Sequence, residues 1–120
     1  MTAPVLAYAA PDTEAFIWAQ VSSIPGVTSF TYSVTHDWIG WLITYNIQID
    51  ARRETKQAAW EAAELVRQTI LKLPSVPWAD GVVSFVQPVE GPFWLPDPNG
   101  APRYCARYEI RVHPSHPVPA

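Results

Sequence analysis

The chain has 120 residues, enough for one domain with a modest core and too few for two such domains. Its formal net charge is -3 at pH 7 and only 16% of its residues are charged, so it lacks the clustered Lys and Arg with which a dedicated nucleic-acid binder holds phosphates. Its single cysteine, Cys105, excludes an internal disulfide and a multi-cysteine metal site.

The two ends of the chain are predicted to lie outside the body of this single domain. Residues 1–10 carry no charge and no clear period, which fits either an extended arm or an edge strand. Residues 113–120 (HPSHPVPA) contain three prolines and are predicted to form an extended, Pro-rich tail. The chain has no leader pattern and no run of roughly 18 apolar residues, so we expect a soluble, unsecreted protein with no membrane partner.

The first half of the chain predicts one helix and a hairpin. A capping residue at Asp12 or Thr13, with a Pro-Gly pair some ten residues later, bounds a short helix over about 12–23. Residues 27–35 alternate apolar side chains with Ser and Thr, and residues 41–50 alternate them with Thr, Asn and Gln. Because the connection between these two strands is short and contains glycine, they are predicted to pair antiparallel.

The second half predicts a long helix and two more strands. Residues 53–73 have a period near 3.6, and their apolar stripe is small at its start and large at its end: Ala59, Ala62, Ala63, Val66, Ile70 and Leu73. Residues 81–89 predict a strand that lies at an edge or carries a bulge, because Pro88 has no backbone N–H. Residues 103–112 alternate cleanly, with Tyr104, Ala106, Tyr108, Ile110 and Val112 on one face.

The order of these elements is α-β-β-α-β-β. The economical packing for this order is one roughly four-stranded, mainly antiparallel sheet with both helices on one face. We therefore predict an α+β fold.

The residues that commonly carry catalysis or bind metals are poorly placed for either. Cys105 and His113 lie eight residues apart on one predicted strand, roughly 26 Å, so they cannot act together with Asp97 within one subunit. His113 and His116 are separated by proline in extended chain, which is unlike a metal pair. Glu61 and Glu64 fit a solvated helix face better than an acid–base couple. We therefore expect no enzymatic activity, cofactor or metal.

Three large apolar residues, Phe93, Trp94 and Leu95, stand between two prolines just before the turn signal Asp97-Pro98-Asn99-Gly100. One interpretation is that this segment is a loop that folds back and caps its own sheet. The other is that the flanking prolines hold it out for a neighbouring subunit, since they reduce the freedom lost on docking. The low content of charged residues, against about 25% in ordinary soluble domains, also favours contact with other protein.

Residues 41–114 carry a resemblance to a known family. A polar-faced strand ending NIQIDAR is followed by the Ala-rich helix ETKQAAWEAAELVRQTI, a further strand, and then GPFWLPDPNGAPRYCARYEIRVHP. This order is similar to that of the tail terminator proteins of long-tailed bacteriophages. The same elements recur in that family: a strand, an Ala-dense helix, a Gly-Pro loop, a Pro-Asp…Gly-x-Pro-Arg-Tyr segment and a last strand that ends in His-Pro.

The resemblance implies a hexameric ring in the virion, at the head-proximal end of the tail tube, assembled in the host cytoplasm. Its partners would be copies of itself, the tail tube protein and a head-side neck or connector protein, while DNA passes without specific binding. The candidate interface residues are Phe93, Trp94, Leu95, Pro96, Arg103, Pro114 and Pro117. The candidate acidic residues facing the channel are Asp50, Glu54, Glu61 and Glu64.

Two alternative functions stay open at this point. One is a head-side neck protein or another minor tail component. The other, from a different class, is a small cone-shaped α+β enzyme or ligand carrier with a pocket lined by aromatic side chains, namely Trp41, Tyr45, Tyr104 and Tyr108.

Overall fold

The structure is a computed structural model that describes residues 5–8, 10–37 and 39–119, with side chains described from residue 10 to residue 116. Two helices, α1 (Thr13–Val21) and α2 (Lys56–Leu71), are accompanied by a short 3₁₀ turn at Leu73–Ser75. The six strands, in chain order, are β1 (Val5–Tyr8), β2 (Val27–His36), β3 (Ile43–Arg52), β4 (Gly81–Trp94), β5 (Arg103–Pro114) and β6 (Pro117–Pro119).

The main sheet has four antiparallel strands in the order β2-β3-β5-β4. The predicted α+β fold and the order α-β-β-α-β-β are therefore confirmed. The terminal strands β1 and β6 pair antiparallel with each other in a separate two-stranded sheet. The uncharged N-terminal segment and the Pro-rich tail thus meet, a contact between distant residues that neither segment indicates on its own.

The core lies between the two helices and one face of the main sheet. The strict alternation of β3 and β5 sends every second side chain to this face, where it meets the apolar stripes of both helices. The buried core residues larger than alanine are Ile17, Val21, Ile43, Tyr45, Ile47, Ile49, Val66, Ile70, Leu73, Val83, Tyr108, Ile110 and Val112. Because both helices lie on this face, no helix of the described chain covers the opposite face, which we call the open face.

Each helix begins at a side-chain cap. An Asp12 carboxylate oxygen accepts a hydrogen bond from the Ala15 amide at 3.2 Å, and the Thr55 hydroxyl accepts one from the Ala58 amide at 3.1 Å. Such caps satisfy backbone donors that have no partner inside a helix. The long helix therefore starts at Lys56, three residues later than the periodicity predicts.

The last hairpin differs most from the prediction. β4 continues through Pro88 to Trp94, so Phe93 and Trp94 belong to a strand and their prediction as loop residues is wrong. Pro88 does lie in an edge strand beside a register shift, as predicted. His113 and Pro114 end β5 instead of starting the tail.

The molecule is elongated. Its principal extents are 62 × 24 × 18 Å and its radius of gyration is 16.5 Å, whereas a compact chain of this length has a radius of about 14 Å. Of the two helices in the described chain, neither has the length and hydropathy that a membrane crossing needs.

Candidate subunit interface

The tip of the β4–β5 hairpin is a rigid turn. The Gly100 amide donates to the Asp97 carbonyl at 2.8 Å, and the Asp97 amide donates to the Ala101 carbonyl at 3.0 Å. Gly100 has a φ of +85°, a left-handed conformation that glycine adopts without a steric penalty. The turn predicted at Asp97-Pro98-Asn99-Gly100 is therefore confirmed.

A pair of arginines ties this tip to the end of the sheet. The Arg52 side chain donates two hydrogen bonds to Asp97, from Nε at 2.8 Å and from Nη2 at 3.3 Å. Arg103 approaches Asp97 at 3.4 Å and donates from Nε to the Leu95 carbonyl at 2.8 Å. The hydrogen bonds from Arg52 hold the pKa of Asp97 below its ordinary value. We call Arg52, Asp97 and Arg103 the arginine clamp.

Asp50 extends the clamp onto the open face. Its carboxylate lies 3.6 Å from Arg103 and 3.9 Å from Arg52, and it accepts a 2.8 Å hydrogen bond from the Ser29 hydroxyl. Burial favours the neutral acid, but hydrogen bonds from the Cys105 thiol and Ser29 outweigh it, so the pKa of Asp50 is lowered. Burial and the Asp50 carboxylate raise the pKa of Cys105 to about 12, so the thiol stays protonated.

Beside the clamp, on the helix-covered side of the sheet, lies an exposed aromatic group. The Tyr104 ring is met edge-on by Trp60 of α2 at 5.4 Å and by Trp94 of β4 at 5.3 Å between ring centroids. The Lys56 ammonium lies 4.8 Å from the Trp94 ring. Trp60 and Trp94 remain 38% and 39% exposed, and the adjacent Leu95 remains 43% exposed. We call Lys56, Trp60, Trp94, Leu95 and Tyr104 the tryptophan patch.

The candidate interface residues divide between this patch and other places. Trp94 and Leu95 are in it, Pro96 is exposed next to it, and Arg103 belongs to the clamp below it. Phe93 is half-buried and pairs with Cys105, which places it towards the open face. Two proline candidates lie apart from the patch. Pro114 is buried opposite Gly81, so its prediction as a surface contact is wrong. Pro117 lies in β6, whose side chains are outside the described residues.

The candidate acidic residues do not share one surface. Asp50 is buried in its ion pairs on the open face, so its prediction as a free charge facing the channel is wrong. Glu61 and Glu64 lie on α2, which packs on the other face of the sheet. Glu64 lies 3.8 Å from Arg67, and Glu54 accepts a hydrogen bond from Arg53 at 3.3 Å.

The aromatic residues predicted as a ligand pocket do not come together. Tyr45 and Tyr108 are buried in the core, Tyr104 is in the tryptophan patch, and the Trp41 ring lies against His113 at 4.6 Å. A groove of about 350 Å³ does cross the sheet between β2 and β4. Its lining mixes apolar residues such as Ile47 and Val89 with polar ones such as Asn46 and Gln48, and Tyr108 is the one lining residue among the four predicted aromatic residues.

The residues weighed for catalysis or metal binding each have structural contacts. Cys105 is buried near the start of β5, between Asp50 of β3 and Phe93 of β4. A ring nitrogen of His113 lies 2.9 Å from the Trp41 carbonyl, and His116 lies 3.3 Å from Asp80. Asp97 is held by Arg52 and Arg103 next to the start of β5, whereas His113 lies at the end of that strand.

The interpretation based on the sequence missed Lys56 and Trp60, which complete the patch from α2. Trp60 is the one aromatic residue in an otherwise Ala-rich helix and stands outside its apolar stripe. An exposed tryptophan at such a position is an available signal of an interface, because tryptophan is enriched at binding hot spots.

Comparison with known proteins yields no family assignment. No model of a protein family matches the chain, and no curated protein is significantly similar to it.

Proposed function

We propose that the chain is a structural protein that assembles into a closed ring, and that the ring is the tail terminator of a long-tailed bacteriophage. The observation that carries the proposal is the tryptophan patch, where the exposed Trp94 and Leu95, on a hairpin tip that the arginine clamp immobilises, lie beside the exposed Trp60 of α2. The similarity of residues 41–114 to tail terminator proteins supports the phage assignment.

The rigid clamp favours binding through the patch. Asp97 is bound from two sides, and the Leu95 amide also donates to the Arg103 carbonyl at 3.0 Å. A surface that is already ordered loses little conformational entropy on docking. Trp60 and Trp94 are therefore suited to act as anchors in a pocket of a neighbouring subunit.

The size of the patch argues for a ring over a simple dimer. The exposed part of each indole amounts to about 100 Å², so its burial would contribute about 2.5 kcal/mol. Association itself costs an estimated 4 to 15 kcal/mol, so a single patch is too weak to hold two subunits alone. In a ring each subunit gives its patch to one neighbour and receives another patch from the opposite side, which doubles the contacts per subunit.

A ring of this kind stops the growth of a tube by offering unequal faces. A tube lengthens by repeating one heterologous contact, and a ring that matches the tube on one face only ends the repeat. The other face then serves as the joining surface for the head. Six copies would carry about 6 × -3 = -18 formal charges, which disfavours adhesion of DNA passing through the bore.

Mass measurement tests the proposal directly. Light scattering of the purified chain, alone and with tail tubes, is expected to show a closed oligomer that binds tube ends. A strict monomer that never binds a tube end would contradict it. Electron microscopy of particles lacking the chain separates the terminator from a neck protein, since overlong or headless tails indicate the terminator and leaking, tailless heads indicate a neck component.

A further inference from the structure

The strand β2 has a free edge along the main sheet. In the part of the chain that the structure describes, its backbone pairs with β3 on one side, and β2 ends the strand order on the other. The Asp37 amide donates to the Leu42 carbonyl at 3.2 Å, and this pair continues the β2–β3 register. Since bonded and non-bonded pairs alternate in an antiparallel ladder, the outward N–H and C=O groups belong to Phe30, Tyr32 and Val34.

Beyond a register shift between Val27 and Ser29, this edge lacks the features that normally prevent strand pairing. Its ten residues, VTSFTYSVTH, contain no proline, lysine, arginine or carboxylate. Soluble proteins usually protect an exposed edge with such residues or with a bulge. The outward residues also carry exposed apolar side chains, since Tyr32 is 47% and Val34 is 40% exposed.

The opposite edge of the same sheet is protected. Pro88 and Pro92 remove two donors from β4, and three register shifts interrupt its ladder. At Gly91, which has a φ of +86°, a Cβ would lie 2.6 Å from the Cys105 carbonyl oxygen, so this irregular backbone requires glycine. A second copy therefore finds no regular ladder at β4.

We propose that β2 pairs antiparallel with β2 of a second copy of this chain. The occupant must be a strand because the unpaired groups are those of a β-ladder. Two copies that extend the main sheet must join at its edge strands, β2 or β4, and the irregular β4 edge is unsuited to pairing. The remaining contact is β2 with β2, which is two-fold and self-complementary. The strand carries no formal charge at neutral pH with His36 neutral, so its own side chains bring no like charges together when two copies pair, and the carboxylate of Glu14 on α1 lies beside Tyr32.

This contact is separate from the one on which the proposed ring depends. The tryptophan patch lies where β5 begins, whereas Val34 lies near the other end of the sheet, opposite Tyr45. In a ring, the β2 contact would join two rings face to face. In a chain that forms no ring, it would give a dimer.

The test is the mass of variants as a function of concentration. By sedimentation, the wild-type chain is expected to form even-numbered assemblies that separate into halves on dilution. Val34→Lys is expected to shift the midpoint of this dissociation at least tenfold towards higher concentration, because it places a charge in the paired edge. The matched control, Val82→Lys, adds the same charge at an exposed valine of β4 and should behave as the wild type. Equal melting temperatures would show that both variants fold.

Amide hydrogen exchange gives a second readout. The amides of Phe30, Tyr32 and Val34 should slow together as the concentration rises, while Thr31, Ser33 and Thr35, which face β3, stay protected throughout. Fast exchange of the first three at every concentration, or a wild-type mass for Val34→Lys, would overturn the proposal. The proposal would also be overturned if β2 of the wild-type chain paired only with a different protein and never with a second copy. Trp94→Ala should retain concentration-dependent protection of β2 even where the ring is lost, so the ring and the strand contact fail independently.

Discussion

At the scale of single residues, the open face is held together by charges and hydrogen bonds. Asp50 and Asp97 lie between Arg52 and Arg103, and each carboxylate contacts both guanidinium groups. Planar guanidinium groups suit such sharing because they present several donors in fixed directions. The clamp therefore joins the hairpin tip to β3 through residues 45 positions apart in the chain.

Replacing Asp50 by Asn should make the protein less stable at neutral pH and less sensitive to acid. The folded pKa of Asp50 lies below its ordinary value of 3.8, so the unfolded chain takes up the proton first as the pH falls. Its stabilisation is thus present above about pH 4 and lost on acidification towards the folded pKa. Asp50→Asn should lower the free energy of unfolding by about 1 to 3 kcal/mol at pH 7.

Melting temperatures of the wild type and Asp50→Asn between pH 3 and pH 7 check this expectation. The two curves should converge as the pH falls. Glu61→Gln is the control, because it makes a comparable change at an exposed carboxylate on α2. Parallel curves for wild type and Asp50→Asn would mean that the Asp50 carboxylate contributes nothing in its ionised form.

At the scale of elements, alternation was sufficient for β2, β3 and β5 and helical period for α2, whereas α1 was indicated by its capping residue and the Pro-Gly pair that follows it. β3 and β5 lie beside each other with one apolar face, so their own residues predict them. The end of β4 was missed because Pro88 and Gly91-Pro92 indicate a break, whereas the strand absorbs them in bulges and continues to Trp94. The pairing of β1 with β6 was missed because it depends on residues more than 100 positions apart.

The candidate site was predictable only in part. Trp94 and Leu95 were identified from their setting between prolines before a turn. Neither the contact of Trp60 with Tyr104 nor the bond from Arg52 to Asp97 has a local signal, because the partners lie about 45 residues apart. Pro114 was misassigned since proline in a short tail indicates exposure, whereas β5 carries it into a buried position.

The alanines of α2 are predicted to limit the distance between the helix and the sheet. Ala59, Ala62 and Ala63 are all buried, so a larger side chain has no space without moving the helix. Ala63→Leu should lower the free energy of unfolding by about 1 to 3 kcal/mol, measured by urea denaturation. Gln68→Leu, at an exposed position of the same helix, should change it by less than about 0.5 kcal/mol. Equal effects would show that the helix is free to shift.

At the scale of the whole molecule, the tryptophan patch is assembled from two chain segments that fold against the same end of the sheet. Lys56 and Trp60 come from the start of α2, while Trp94, Leu95 and Tyr104 come from the last hairpin. The arginine clamp fixes their relative position. A change in one segment is therefore expected to alter the surface that the other presents.

Trp94→Ala should weaken self-assembly far more than it lowers the stability of the subunit. The indole is 39% exposed and lies at the edge of the fold, whereas at a binding hot spot its loss costs about 2 kcal/mol or more. That loss is about 30-fold in the dissociation constant, measured by sedimentation. Trp41→Ala is the control, since Trp41 is 44% exposed at the opposite end of the sheet. Loss of folding in parallel with assembly would instead indicate that the tip caps its own sheet.

The inequality of the two sheet edges also bears on solubility. A protein with two regular edges joins copies without limit, which is how cross-β fibres lengthen. Here the broken ladder of β4 offers an added strand no regular partner, so growth through the proposed β2 contact would end after a single partner. A chain this poor in charge and rich in strand is therefore expected to resist fibrillisation at high concentration.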